Sequence, residues 1–363
     1  MRSNGDVNAM GVPATMKAVR LSEYGQPEVL QYIEVPVPEI EPDEVLVRVR
    51  GTSVTRWDLR YRQGLLTPPP GRAALPLPFQ LGRDTAGEVQ AVGAEVRRFK
   101  PGDRVVAMTC PACGRCEYCK RGLDNLCTDI ALPGHQRFGA YAQYVCRKET
   151  ELLHAPDSLS FEKLACLLWS YSTVWHMAIE RGRLRPGQDV LVTAASGGMG
   201  TAAIQIAKLA GAARIVALTG SANKVAPLQK LGASHVLNYR EENVPARIAE
   251  ITNGLGVDLA LENVGGEMLP LCMQCLRMDG TLVSAGQHGG RFCSVDVELL
   301  YRRHLNVLGT RGATRHEQQF VLSLAGEGSL DPVISHCLPL AEAAEAHRIL
   351  ERQEQFGKIV LLP

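Results

Sequence analysis

The sequence predicts an α/β chain of two domains, in which a doubly wound, parallel, six-stranded sheet is inserted into an irregular β-domain. Three observations predict it. Up to about residue 145, short apolar or alternating runs are broken by proline and glycine; residues 169–309 then alternate strand-like runs with helical periods; the remaining tail is too short for a core of its own.

Residues 1–15 are polar and glycine-containing, with neither the apolar core of a secretory signal nor an arginine-rich amphipathic pattern, and read as a flexible extension. Strand-like runs follow at 17–21, 44–50, 86–92 and 103–108, and Pro68 to Pro70 mark a loop. In the second domain the strand candidates are 189–193, 214–219, 235–239, 257–262, 280–284 and 305–309. The tail offers helices at 316–326 and 341–353 and an apolar end at 358–362, expected to return to the first domain. The expected division is therefore 16–168 with 310–363, and 169–309.

Composition excludes several classes of function. The 363 residues carry 39 Lys and Arg against 38 Asp and Glu, so neither a nucleic acid nor an anionic membrane is the expected partner. No run approaches the ~18–20 apolar residues of a membrane span, and a cytoplasmic location is expected. Eleven cysteines are too dilute for a disulfide scaffold, but five fall between Cys110 and Cys127, which points to metal.

The run Ala194-Ala195-Ser196-Gly197-Gly198-Met199-Gly200 follows an apolar strand and opens a helix with Ala203, Ile206, Ala207 and Ala210 on one face. That is the context of a dinucleotide-binding turn, with Ala195 in place of the first glycine. Small residues let the backbone approach a pyrophosphate, and unpaired amides at the helix start stabilise its charge. About 20 residues on, an acidic side chain would take the ribose 2′-hydroxyl of NAD. Here the chain has Thr219, Gly220 and Ser221, with Lys224 just after, and Ser221, Lys224 and Tyr239 suit a 2′-phosphate. NADP(H) is the expected cofactor.

Cys113, Cys116 and Cys119 are each three apart, and Cys127 lies eight residues beyond Cys119. Four thiolates complete a tetrahedral zinc site and leave no place for water or substrate, so one structural Zn2+ is expected. Cys110 and Cys146 do not fit the spacing and read as spectators; Cys272 and Cys275 read as core.

The combination resembles the medium-chain dehydrogenase/reductase superfamily over almost the whole chain from Met16, and the cysteine loop is similar to that of its zinc alcohol dehydrogenases. The resemblance implies a GroES-like β-domain for substrate, a Rossmann domain for the nicotinamide cofactor, and a cleft between them. The glycine turn, the segment DLALENVGG at 258–266 and the ending Gly357-Lys358-Ile359-Val360 are similar to the quinone oxidoreductase branch. That branch is mostly NADPH-dependent, and the resemblance gives Asn238, Tyr239 and Arg240 a share in holding the 2′-phosphate. It also places Thr173 and Asn263 at the cofactor.

The departures set the expected chemistry. Where zinc alcohol dehydrogenases place the ligands of a second, catalytic zinc, this chain has Thr55, Arg83 with Asp84, and Trp169. A hydroxyl, a guanidinium and an indole do not make a zinc site. Without that Lewis acid, alcohol oxidation is a poor candidate. Reduction of an activated C=C bond or a quinone is better supported, because hydrogen-bond donors can stabilise the charge that builds on the carbonyl oxygen. Thr55, Trp57, Arg83, Tyr171 and Thr173 are the residues placed in the cleft by resemblance, with Tyr171 a proton donor and Arg83 an oxyanion partner or a salt-bridge partner of Asp84. His135, His154 and His288 read as structural.

Two alternatives stand beside this reading: a zinc alcohol dehydrogenase with atypical ligands from Asp84 and nearby Cys or His residues, and a cofactor-binding protein without turnover. A small-molecule substrate is expected, in a homodimer or homotetramer paired through the strand at 305–309, which otherwise leaves an open edge. No residue in the loops 61–81 and 287–303 identifies the substrate.

Overall fold

The computed structural model describes residues 11–65 and 76–363. The proline loop at 68–70 lies outside them. The chain forms two compact units: the first runs to Trp169 and resumes over Thr314–Glu327 and Ile334–Pro363, and the second comprises Ser170–Ala313 and Gly328–Val333. The stretch Gly328–Val333, expected in the first domain, belongs with the second, where Gln205 donates to the Asp331 carbonyl at 2.8 Å and accepts from the Asp331 amide at 2.8 Å.

The first unit contains β1 (Thr15–Arg20), β2 (Gln31–Pro36), β3 (Glu44–Val54), α1 (Arg56–Arg62), β4 (Ala86–Val92), β5 (Arg104–Ala107), α2 (Glu117–Lys120), β6 (Tyr144–Lys148), β7 (Leu152–His154) and α3 (Phe161–Leu167). β1 and β2 pair antiparallel. The long β3 is the spine of a seven-stranded sheet, flanked by β4 and by β15 (Lys358–Leu362), with β6 also paired to it. Val45, Val47 and Val49 alternate inward from β3 onto Val89, Val105 and Leu152, each fully buried apolar side chain contributing about 1.5–3 kcal/mol. The tail does return here: α10 (Arg315–Gly326), β14 (Ile334–Pro339), α11 (Ala343–Glu351) and β15 complete the unit.

Four of these strands, β2, β6, β7 and β14, are not visible in the sequence pattern. β2 and β14 are short, largely exposed or half-buried, and end in proline, so neither alternates cleanly. The extension also needs correction: β1 starts at Thr15, and Val12 is buried against Leu46 and Ala91. Apolar burial, not the polarity of the surrounding sequence, holds Val12 in place.

A helical run leads out of α3 through a π-helical turn over Leu168–Ser172, then α4 (Thr173–Trp175), then a second π turn over His176–Arg181. The second unit continues with β8 (Asp189–Val192), α5 (Gly198–Leu209), β9 (Arg214–Thr219), α6 (Val225–Leu231), β10 (His235–Asn238), α7 (Val244–Ile251), β11 (Val257–Glu262), α8 (Met268–Cys275), β12 (Leu276–Ser284), α9 (Val297–Arg302) and β13 (Asn306–Gly309). The strands are parallel in the order β10-β9-β8-β11-β12-β13, the doubly wound arrangement. Leu191, Val216, Ala260 and Leu282 on the sheet pack with Ile248 of α7 and Cys272 and Met273 of α8. Order reverses between β8 and β11, so a ligand crevice opens at the carboxyl ends of those strands. Among the described residues no helix is long and apolar enough to cross a membrane.

Candidate metal lobe, cofactor turn and active-site residues

The cysteine lobe is small and poor in secondary structure, as a metal-nucleated loop should be. Among the described residues, Cys113, Cys116, Cys119 and Cys127 are the one group of three or more metal-capable side chains, with all four sulfurs within 4.8 Å of one another. Tetrahedral zinc with bonds of about 2.3 Å requires sulfur separations of ~3.8 Å; the Sγ atoms of Cys113 and Cys119 are 4.0 Å apart and those of Cys116 and Cys119 are 3.4 Å apart. Backbone amides already point at the sulfurs: Cys113 donates to Cys127 Sγ at 3.3 Å, Cys116 to Cys113 Sγ at 3.4 Å, and Asp129 to Cys127 Sγ at 3.3 Å. The amides of Cys119 and Thr128 draw the Cys116 thiol down to about 6. This donor set fits a closed zinc site.

A second cluster of the first unit surrounds Arg83. Gly82 has φ +97°, and a Cβ there would lie 2.5 Å from Tyr141 Cδ1, so only glycine permits the turn that sets Arg83. Arg83 is 3% exposed. Its Cζ lies 4.1 Å from the Trp169 ring centroid, and its Nη2 donates to the imidazole of His135, 2.6 Å from Nε2. His135 in turn packs on the Tyr61 ring at 4.1 Å and on Trp57 at 5.7 Å. Burial, and then the Arg83 charge, hold the His135 imidazole well below its ordinary value, so it is the neutral acceptor.

Arg83 does not pair with Asp84. Asp84 accepts from Ser53 Oγ, its Oδ2 lies 3.5 Å from Lys358 Nζ, and its carbonyl accepts from Thr52 Oγ1 at 2.7 Å. Thr55 is also committed: its hydroxyl donates to Asp58 Oδ2 at 2.6 Å and its amide at 2.8 Å, a capping box that opens α1. Asp58 Oδ1 accepts from the Gly82 amide at 3.1 Å, which ties α1 to the Arg83 turn. Thr55 is thus a helix cap beside the site rather than an available donor.

Tyr171, expected as a proton donor, lies in the second unit and is wholly buried; its hydroxyl donates to the Asp331 carbonyl at 3.0 Å and accepts from Gln205 Nε2 at 2.9 Å. It is a packed aromatic. The structure groups Trp57 and Trp169, both named from the sequence, with Arg83, and adds His135 and Tyr61. The spectator Cys110 also belongs here, because it is the first of the ionisable groups, before Asp58, Tyr61 and Asp84, whose charge acts on Arg83. Trp169 sits in the π turn over Leu168–Ser172, a form not readable from 3.6-residue periodicity.

In the second unit, the glycine turn leaves β8 with Ala194 at φ +46° and opens α5 with Gly197 as N-cap. A Cβ on Gly200 would lie 2.2 Å from the Ala194 carbonyl oxygen, so this glycine serves helix-to-strand packing. A Cβ on Gly197 would meet only the Ala194 oxygen at 3.4 Å, an ordinary contact. The fold does not require glycine there; a phosphate approaching the backbone does. Ser196, Gly198 and Met199 complete the turn.

At the carboxyl end of β9, Thr219 accepts at its carbonyl from the Tyr239 amide at 3.1 Å, bringing Tyr239 alongside. A Cβ on Gly220 would lie 2.8 Å from Arg240 Nε and 2.9 Å from the Tyr239 hydroxyl oxygen, so these groups converge on one small cradle beside Ser221. Lys224 is mostly buried nearby in sequence, just before α6. Asn263, after β11, is buried with neither amide atom hydrogen-bonded, an orphaned polar group at a crevice edge. Thr173 is buried in α4, which packs on α5. These features fit a dinucleotide.

Comparison with known proteins agrees with the fold. Residues 41–157 match the alcohol dehydrogenase GroES-like domain, and residues 198–327 match the zinc-binding dehydrogenase domain. The chain is 33% identical to a quinone oxidoreductase of Pseudomonas aeruginosa, covering 96% of this chain and 99% of that protein. It is 31% identical to an NAD-dependent alcohol dehydrogenase of Saccharolobus solfataricus, covering 96% and 100%. A crystal structure of an NAD-dependent alcohol dehydrogenase superposes with a TM-score of 0.89 at 38% identity, covering 96% of this chain and 100% of that one. With both domain families matched and relatives aligned from end to end, the chain belongs to the medium-chain dehydrogenase/reductase superfamily and is an oxidoreductase of that type.

Proposed function

We propose that this enzyme reduces an activated C=C bond, of an enone or enoyl compound, or a quinone, with NADPH and without a catalytic zinc. The observation that carries the reading is the residue set around Arg83. A dipositive ion placed there would meet a buried guanidinium and an indole, and the nearest carboxylates are held by Lys358, Ser53 and Thr55. NADPH, when bound, would supply the hydride and leave as NADP+, with solvent supplying the proton that completes the reduction.

The residues then divide the work. Gly197 to Gly200 give the pyrophosphate a bare backbone and a helix start, and Asn263 offers it an unspent amide. The cradle of Gly220, Ser221, Tyr239 and Arg240, with no acidic side chain, favours a 2′-phosphate. Arg83, held between Trp169 and His135, is a fixed positive partner for negative charge on the acceptor's oxygen. The four lobe cysteines hold one structural Zn2+. The Pseudomonas relative named as a quinone oxidoreductase supports the reaction class. We also assign assembly into a homodimer or homotetramer to the β13 edge, where Val307, Tyr301 and Val297 are exposed.

The test is metal content per chain on protein purified without added zinc, with NADPH and NADH titrations and NADPH oxidation by neutral enones and quinones. One zinc, tighter binding of NADPH and turnover support the reading. Two zincs, or preference for NADH, return the enzyme to alcohol dehydrogenation.

A further inference from the structure

An arginine that is 3% exposed should have an anion beside its guanidinium, because an unpaired buried charge is strongly unfavourable. Among the described residues, no carboxylate lies within ion-pair distance of Arg83. Its one hydrogen-bonded neighbour, His135, is uncharged, and Nε is buried with no partner at all. The other acidic groups are occupied: Asp84 by Lys358 and Ser53, Asp58 by Thr55 and the Gly82 amide. Trp169 covers one face of the guanidinium plane and Nη2 donates to His135, so what remains in the plane is the unpartnered Nε–H and the N–H donors not spent on His135, a geometry that suits a planar carboxylate.

We propose that Arg83 is a carboxylate-binding site and that the acceptor this enzyme reduces is an unsaturated acid. This rests on the reductase reading and deepens it. A neutral ketone or quinone presents charge to Arg83 only as hydride arrives, which leaves the buried cation unpaired in every other state of the cycle. An acid presents its carboxylate from the moment it binds. Trp169 on the guanidinium face and Trp57 beyond His135 give a spectroscopic probe of Arg83, since both indoles lie within two residues' contact of it.

The test is binding of sodium crotonate against its uncharged isostere crotonamide, followed by tryptophan fluorescence and by calorimetry on the zinc-loaded protein. Crotonate should bind saturably and at least tenfold more tightly than crotonamide. Arg83→Gln should abolish that preference, and Arg83→Lys, which keeps charge but loses the fork, should retain part of it. Unchanged zinc content and thermal midpoint check that the variants fold. Equal binding of the two compounds, or the same preference in Arg83→Gln, overturns the proposal. So does crotonate binding that appears only in Cys110→Ser, which would make the Cys110 thiolate the resident partner. The two readings fail separately: reduction of neutral enones without crotonate binding leaves the reductase and removes the acid, whereas selective crotonate binding without reduction of any acceptor does the reverse.

Discussion

The cysteine lobe and the Arg83 cluster of the first unit hold positive charge in opposite ways. In the lobe, four sulfurs within 4.8 Å of one another are met by backbone amides, a donor set that, on the reading proposed above, supplies negative charge to a cation from solution. Around Arg83 the cation is part of the chain, braced by an indole and a neutral imidazole, and it is the anion that is missing. The difference teaches that side-chain type at a few positions decides whether a pocket collects a metal or a substrate's negative charge. The first choice can be reversed by a chelator; the second cannot, because arginine does not lose its proton in the accessible range.

The largest expected effect is on the lobe. Structural zinc contributes about 10–16 kcal/mol of apparent binding energy in small metal-folded peptides. Cys119→Ser, or prolonged chelation, should therefore reduce zinc from one per chain to none and expose residues around 113–127 to hydrogen exchange and proteolysis. Retention of full protection without zinc would show that the packing of Cys110, Cys127 and Ile130 suffices. The counterpart is Arg83→Gln, which should leave zinc at one per chain while kcat/KM falls by about 10²–10³, the loss typical of one oxyanion partner. If chelation removed activity and Arg83→Gln did not, the contrast between the two sites would be wrong.

Legibility in the sequence followed the same divide. The inserted sheet was readable because its central strands are buried on both faces and appear as apolar runs, such as the Ile215 to Leu218 stretch of β9. The lobe was readable because spacing alone places its ligands. The Arg83 cluster was readable only as a set of departures: that Asp84 turns to Lys358, and that His135 reaches Arg83 across 52 positions, follow from tertiary packing. Tyr171 shows the converse. A tyrosine near vacant ligand positions suggests acid catalysis, but its hydroxyl is satisfied by Asp331 and Gln205, which no local pattern reveals.

A smaller effect is expected where the second unit selects its cofactor. Arg240→Ala removes the charge that converges with Tyr239 on Gly220. Hydrogen bonds to charged groups contribute about 1.5–3 kcal/mol, so KM for NADPH should rise roughly 10- to 100-fold with KM for NADH little changed. Equal changes for both cofactors would move Arg240 away from the 2′-phosphate. Gly220→Ala should act in the same direction, since its methyl group would sit 2.8 Å from Arg240 Nε.

The smallest effect separates buried bases that serve the fold from those beside Arg83. His347 of α11 is fully buried, and its Nε2 shares a hydrogen bond of 3.2 Å with the Tyr141 hydroxyl. Burial, aided by the Arg62 charge, lowers its pKa to about 3. The unfolded chain protonates this histidine near its ordinary value of about 6.5 while the folded chain does not. Below pH 6.5 the unfolded state therefore binds the extra proton, and stability falls with pH down to about 3, by up to ~1.4 kcal/mol per pH unit. Urea midpoints at pH 6.5 and 5 should show His347→Gln losing about 2 kcal/mol less than the parent across that interval. His135 pulls in the same direction, so the variant keeps a slope of its own; an unchanged slope in His347→Gln would mean that His347 is protonated in the fold and that Tyr141 does not hold it neutral.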